Sequence, residues 1–330
     1  MADNTKIEWA DATLNYVNGC SVLSPGCTNC YAMKLAGTRL RNHPSRIGLT
    51  QDTKAGPVWT GEVRAHEPAL LQALSWKRPR RIFWNAHGDL FHDAVPDEWI
   101  DRLFAVCALT PQHTHMILTK RSARMREYCV SRFTTEAGSD ALCEAIEEID
   151  EFRHDAGGEW DAPLPNVWLG VSVEDQARAD ERIPDLLATP AAVRFISAEP
   201  LLGPLILEGW LAPEAFCQSC DDGEGYGTRC SRGDIPRDEQ CPWRWAVQTV
   251  HEHGPFSDEG MPRAITSTVH TIDWVIVGGE SGHRARDNDF EANARHLRDQ
   301  CAHARVAFFG KQNVRKFALP ADLLVREMPL

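Results

Sequence analysis

Residues 166–187 read NVWLGVSVEDQARADERIPDLL, and a change of pattern inside them decides the fold class. Val167 to Val171 is a short, nearly continuous apolar run rich in strand-forming residues, as expected of a strand buried on both faces. The run ends at Ser172-Val173-Glu174, and over 175–187 the apolar residues take up helical spacing. A buried strand, a polar end and a helix make the repeating unit of a parallel α/β sheet or barrel.

The unit recurs on both sides of this segment. Arg81-Ile82-Phe83-Trp84-Asn85 leads through His87-Gly88-Asp89 to a helix opening at Pro96-Asp97-Glu98, and His115-Met116-Ile117-Leu118 runs into Thr119-Lys120-Arg121. Val193-Arg194-Phe195-Ile196 ends at Ser197-Ala198-Glu199-Pro200. Asp273-Trp274-Val275-Ile276-Val277 ends at Gly278-Gly279-Glu280-Ser281-Gly282, and after another helical stretch Val306-Ala307-Phe308-Phe309 ends at Lys311-Gln312. The pattern predicts an α/β chain whose residues 1–207 and 271–330 build a parallel (β/α) TIM-like, partial barrel. Residues 131–165 read as a helical excursion followed by a loop. Residues 208–270, rich in Cys, Gly, Asp and Arg and without sustained periodicity, read as a Cys-rich insertion.

In parallel β/α folds ligands bind where the carboxyl ends of the strands converge. Those ends carry Asp89, Lys120, Ser172, Glu174, Ser197, Glu199, Glu280 and Lys311, which predicts a polar floor to a binding mouth. The run at 278–282 has neither the ending of a nucleotide-triphosphate loop nor the spacing of a dinucleotide fingerprint, and reads as a turn presenting Glu280. Ser281 sits in no nucleophile elbow. Trp84, Trp168 and Trp274 fall within strands and are expected in the core.

The chain of 330 residues is long enough for one barrel-sized domain. Its opening residues contain no apolar run of signal-peptide type and no stretch reaches membrane-span length, so an unexported, cytoplasmic protein without a membrane segment is expected. A formal net charge of −12 argues against a general polyanion binder. The basic run 77–81, with Lys120, Arg121, Arg124 and Arg126, is expected to be a solvated face. Oligomeric state is not readable.

Of eleven cysteines, Cys107, Cys129, Cys143 and Cys301 stand singly, as buried free thiols do, and the other seven form two clusters. In an unexported chain such clusters point to metal before disulfides. Cys20, Cys27 and Cys30 lie within eleven residues of a Gly- and Pro-containing loop that precedes a helix. Their spacing admits an iron–sulfur cluster with one open coordination position, a zinc ion completed by a distant ligand, or no metal. Cys217, Cys220, Cys230 and Cys241 fall in a segment too poor in apolar residues to form much core, where a structural zinc would supply folding energy.

A three-cysteine loop near the start of a parallel barrel, with aromatic Tyr31 beside its last cysteine, resembles the cluster loop of radical S-adenosylmethionine enzymes. The Cys27-to-Cys30 spacing matches that superfamily, whereas the six residues between Cys20 and Cys27 exceed its commonest pattern. More of the chain, from TKIEWADATLNYVNGC and SPGCTNCYA through GDLFHDAVPDEW, ILTKR, NVWLGVSVEDQARADERIP and FISAEPLLGPL to WVIVGGESG, resembles the phage-associated three-Cys-motif proteins, a family of unknown function. Thr119-Lys120 is loosely similar to spore photoproduct lyase. Where the three-Cys-motif proteins usually have Lys-Gln-Trp after the last strand, this chain has Lys311-Gln312-Asn313.

The resemblance implies a 4Fe-4S cluster on Cys20, Cys27 and Cys30 with Tyr31 packed beside it, and S-adenosylmethionine as cofactor. It implies contacts to the methionyl amine near Gly88 and Asp89 and to ribose near Ser172 and Glu174. Lys120, Glu199 and Glu280 are candidates for substrate polarity or proton transfer. It further implies an enzyme that generates a substrate radical, supplied by a reductase- or flavodoxin-type electron donor and acting on a nucleobase or nucleotide, as modification or repair. The reading from a different class is a non-catalytic, zinc-stabilised phage protein that binds nucleic acid or a partner.

Overall fold

The computed structural model describes residues 5–150, 162–211, 271–282 and 284–329. Seven strands, β1 (Ala12–Leu14), β2 (Arg81–Trp84), β3 (Thr114–Thr119), β4 (Val167–Ser172), β5 (Val193–Ala198), β6 (Trp274–Gly278) and β7 (Ala307–Gln312), lie side by side in chain order, every neighbouring pair parallel. Parallel neighbours need crossovers, and helices supply them. After α1 (Tyr31–Gly37), which precedes β2, come α2 (Asp97–Ala108), α3 (Ser122–Thr134), α4 (Glu136–Asp150), α5 (Gln176–Leu187) and α6 (Phe290–Ala304). Asp175 caps α5 by accepting a hydrogen bond from the Arg178 amide, which is why the polar end of β4 turns directly into helix.

Both faces of the sheet are buried, and the side chains alternate between two cores. Ile82, Trp84, Ile117, Leu169, Ile196 and Val275 face the helices; Phe83, Met116, Phe195, Trp274, Ile276 and Phe309 face inward. The inner face is closed by Trp9, whose ring lies 4.6 Å from Phe83 on β2, 6.4 Å from Phe195 on β5 and 6.1 Å from Trp274 on β6. In a flat sheet β2 and β6 would stand roughly 19 Å apart. One indole therefore touches both only because the sheet curls around it. The result is a mixed α/β fold with a seven-stranded, curled half-barrel whose edges are β1 and β7; among the described residues no pairing closes it into a full TIM barrel.

Six of the strands fall where the apolar runs predict them. The seventh, β1, has only three residues, too few to carry a pattern. The insertion boundary shifts: a helical turn at Glu208–Leu211 buries Trp210 and Leu211 in the main core, so the core extends to residue 211. Residues 212–270, with Cys217, Cys220, Cys230 and Cys241, lie outside the described residues. Cys107, Cys129 and Cys301 are buried free thiols, and Cys143 is half-buried.

Two small additions frame the N-terminal loop. A hairpin (Thr50–Thr53 with Gly56–Trp59) packs on α1 and, through Leu49, Trp59 and Met33, forms a separate apolar cluster against which Cys20 and Cys30 rest. The basic segments are largely ion-paired: Arg81 with Asp11, Arg124 with Asp97, Arg126 with Asp185. No described helix is long and apolar enough to cross a membrane.

Because Trp9 is the shared contact of strands far apart in the sheet, Trp9→Ala is expected to destabilise the fold by about 3–5 kcal/mol. A denaturant midpoint unchanged from wild type would contradict the inward curl.

Candidate functional site

The carboxyl ends of the strands surround a cavity of about 800 Å³, within the range of small-molecule and cofactor sites. Every strand end from β2 to β7 contributes: Asp89, Lys120, Ser172, Glu199, Glu280 and Lys311 line it. Cys20, Cys27 and Cys30 line it as well, so the structure brings the first cysteine cluster and the strand ends to one place. A second depression of about 430 Å³, lined by residues from 287–295 and 313–317, holds none of the sequence-predicted site residues.

Cys20 and Cys30 have donors aimed at their sulfurs. The Arg121 Nη1 lies 3.7 Å from Cys20 Sγ and the Met33 amide 3.5 Å from Cys30 Sγ, while Ser24 Oγ, whose proton goes to Glu174, stands 3.9 Å from Cys27 Sγ and can accept from that thiol. Burial pushes the Cys20 thiol up to about 12 and raises Cys30 as well, and the charge of Cys27 adds to both. The Cys20 and Cys30 thiols stay protonated at neutral pH until a cation draws off their protons. Among the described residues no three His, Cys, Asp or Glu side chains are arranged to hold a single metal ion.

The loop owes its position to Glu174, which has no solvent exposure. Its carboxylate accepts from the Ser24 hydroxyl, from the Gly26 amide at 3.2 Å, from Lys120 Nζ at 3.0 Å and from Arg182 Nη1 at 2.9 Å. Burial alone would raise its pKa; the charges of Lys120 and Arg182 and the hydrogen bonds from Ser24 and Lys120 outweigh that and hold it below the usual value. Gly26 is required by the closeness of the approach, since a Cβ there would stand 2.4 Å from Glu174 Cγ. Glu174 is therefore a positioning residue: where the resemblance implies a ribose contact, the carboxylate is enclosed by donors of the protein itself.

Other predicted site residues are likewise engaged. Asp89 accepts from Thr119 Oγ1 at 2.6 Å, Arg121 Nη1 at 2.9 Å and the Phe91 amide at 3.1 Å. Gly88 allows close backbone approach, because a Cβ would lie 2.5 Å from the Val17 carbonyl oxygen. Glu280 is grasped by the backbone and guanidinium of Arg286, which also donates to the Pro25 carbonyl at 3.1 Å. Burial works against its charge, yet Arg286 keeps its carboxyl below the usual range. Lys120 also donates to Ser172 Oγ at 2.7 Å. Lys311 pairs with Glu199 Oε2, while Glu199 Oε1 is buried without a partner. Tyr31 is half-exposed, its hydroxyl donating to the Ala86 carbonyl at 2.9 Å.

Arg121, expected on a solvated face, is instead buried against Asp89, and sequence reasoning passes over Arg182 and Arg286, the cations that hold Glu174 and Glu280. It also passes over Asn85, whose left-handed backbone (φ 59°) turns its Oδ1 onto the Val17 amide at 2.8 Å. Arg121 had a signal, as it completes the Thr-Lys-Arg strand end; Arg182 and Arg286 are indistinguishable in sequence from surface arginines.

Glu174→Gln leaves Arg182 buried without its counter-charge, and is expected to cost about 3–5 kcal/mol. A carboxyl that holds its proton less tightly when folded contributes stability fully above its ordinary value of 4.5 and loses it as pH falls through the lowered folded value. Wild-type stability is thus expected to fall below pH 4.5, and the Glu174→Gln variant to show a shallower acid limb. Parallel acid limbs in chemical denaturation would remove Glu174 from this role.

No curated protein and no solved structure matches the chain. A family model described as a protein of unknown function, DUF5131, matches residues 4–318, a span that takes in the cysteine loop, all seven strands and every strand-end residue of the cavity. By that match the chain belongs to the DUF5131 family.

Proposed function

We propose that the chain is a cytoplasmic, radical-S-adenosylmethionine-type iron–sulfur enzyme that modifies or repairs a nucleobase or nucleotide, with a reductase- or flavodoxin-type protein as electron donor. One observation carries the reading: three thiols on one loop, pinned by Glu174, line the strand-end cavity of a parallel half-barrel. The donor set fits a 4Fe-4S cluster on Cys20, Cys27 and Cys30. In such a centre each of the three thiolates would ligate a different iron. Bound there, the cluster supplies an electron and one iron open to the amino and carboxylate groups of S-adenosylmethionine.

The protein's own residues prepare that place. Arg121 puts a positive charge beside Cys20, which favours the thiolate once its proton leaves. Met33 and Trp59 shield the loop from water on its apolar side. Glu199 lines the cavity with its Oε2 paired to Lys311. Lys120, held between Ser172 and Glu174, polarises the floor, and Glu280, closed by Arg286, acts on the position of the loop. A structural zinc on Cys217, Cys220, Cys230 and Cys241 belongs to the same proposal.

Anaerobic purification with iron, sulfide and zinc analysis tests it, together with an electron paramagnetic resonance spectrum before and after S-adenosylmethionine. About four irons per chain and a spectrum perturbed by the ligand are expected. Zinc without iron would move the chain to the non-catalytic, metal-stabilised binding class. Replacing Cys20, Cys27 and Cys30 together by alanine should abolish iron binding and leave zinc on the second cluster; iron retained in that variant would refute the assignment.

A further inference from the structure

Arg46 is 6% exposed and has no carboxylate partner among the described residues. Its Nη1 donates to the Ser45 hydroxyl at 2.7 Å and its Nη2 meets His87 Nδ1 at 2.8 Å, while its Nε is buried without a partner. A guanidinium can only donate, so His87 Nδ1 must accept, and the neutral ring then carries its proton on Nε2. The ring is fixed from its own backbone: the His87 amide donates to Asn15 Oδ1 at 2.9 Å and its carbonyl accepts from the Gly19 amide at 3.1 Å. His87 lines the strand-end cavity, and Nε2 is neither buried nor bonded to another described residue. Burial, with the charge of Arg46, pushes His87 down to about 4, so the ring is neutral at physiological pH.

The surroundings decide what such a donor meets. The cavity's carboxylates, Asp89, Glu199 and Glu280, are each neutralised by Arg121, Lys311 or Arg286. Lys6, Lys34 and Lys316 also line it and have no ion-pair partner among the described residues. An N–H donor backed by a buried, uncompensated cation and rimmed by free lysines selects an oxyanion.

We propose that Arg46 and His87 form an oxyanion subsite in the cavity wall, in which His87 Nε2–H binds a phosphate or carboxylate group of the substrate. This rests on the reading of the strand-end cavity as the substrate site, and assigns that substrate an anionic group in place of a neutral base or nucleoside.

Nitrogen-15 histidine spectra of the full-length protein, assigned with a His87→Phe variant and titrated with inorganic phosphate and separately with acetate, test it. His87 is expected in the Nε2–H form, with its Nε2 resonance moved by phosphate if the group is a phosphate and by acetate if it is a carboxylate. Arg46→Met is expected to weaken that binding by about tenfold or more, and His87→Phe to abolish it while leaving iron content unchanged. An Nδ1–H ring, no response to either anion, or binding indifferent to His87→Phe would overturn the proposal. The tautomer is read in the wild-type protein, so it decides the matter even if Arg46→Met fails to fold. Iron content reports on the cluster separately.

Discussion

Glu174 is a charge placed where water does not reach, at the end of β4. An isolated carboxylate in such a place would cost several kcal/mol or take up a proton. It does neither, because four donors converge on it: Lys120 from the end of β3, Arg182 from α5, and Ser24 and Gly26 from the cysteine loop. These donors belong to three separate segments of the chain. Neutralising one buried charge therefore fixes the strand end, the following helix and the loop relative to one another. If any partner is withdrawn, the remaining charges are left buried and unbalanced, which couples the integrity of the sheet to the position of the loop.

The same device acts at two other strand ends. Arg121, paired with Asp89 after β2, reaches Ser21 at 2.6 Å and Cys20 at 3.7 Å. Arg286, paired with Glu280 after β6, reaches the Pro25 carbonyl. A loop with almost no regular structure is thereby anchored near Cys20, at Ser24 to Gly26 and at Pro25 through three carboxylate–arginine pairs. This explains why so many strand-end carboxylates are engaged: they order the segment that carries the thiols. His87, whose ring lines the cavity with Nε2 left open, is placed to meet a ligand.

Six strands were legible in the sequence because a strand buried on both faces must be apolar without a break, and the polar residue that ends it must then face the mouth. That logic located Asp89, Lys120, Ser172, Glu199 and Glu280 at the cavity. It could not distribute their roles, since a carboxylate aimed at a ligand and one enclosed by arginine read alike. Glu174 and Ser24 are 150 residues apart, and nothing local marks them as partners. The strand β1 escaped because three residues carry no period, and the half-barrel's curl escaped because Trp9 lies outside any strand and shows its purpose only by touching β2, β5 and β6.

The net charge of −12 belongs to the surface of the whole molecule and predicts nothing about the mouth. What a ligand meets there is decided by which charges remain unpaired after the fold has closed its own accounts. Each of the cavity's carboxylates is matched by a cation, whereas among the described residues Arg46 has only neutral hydrogen-bond partners and the rim lysines have no ion-pair partner. An acidic protein thus presents a locally positive interior, because field lines within a low-dielectric wall follow the nearest uncompensated charge more than the distant sum. Arg46 transmits that charge through a neutral imidazole, so the donor facing the cavity keeps its proton without itself titrating near pH 7. The cost of burying such a cation without a carboxylate is one that the fold alone gives no reason to bear, and an incoming anion would relieve it.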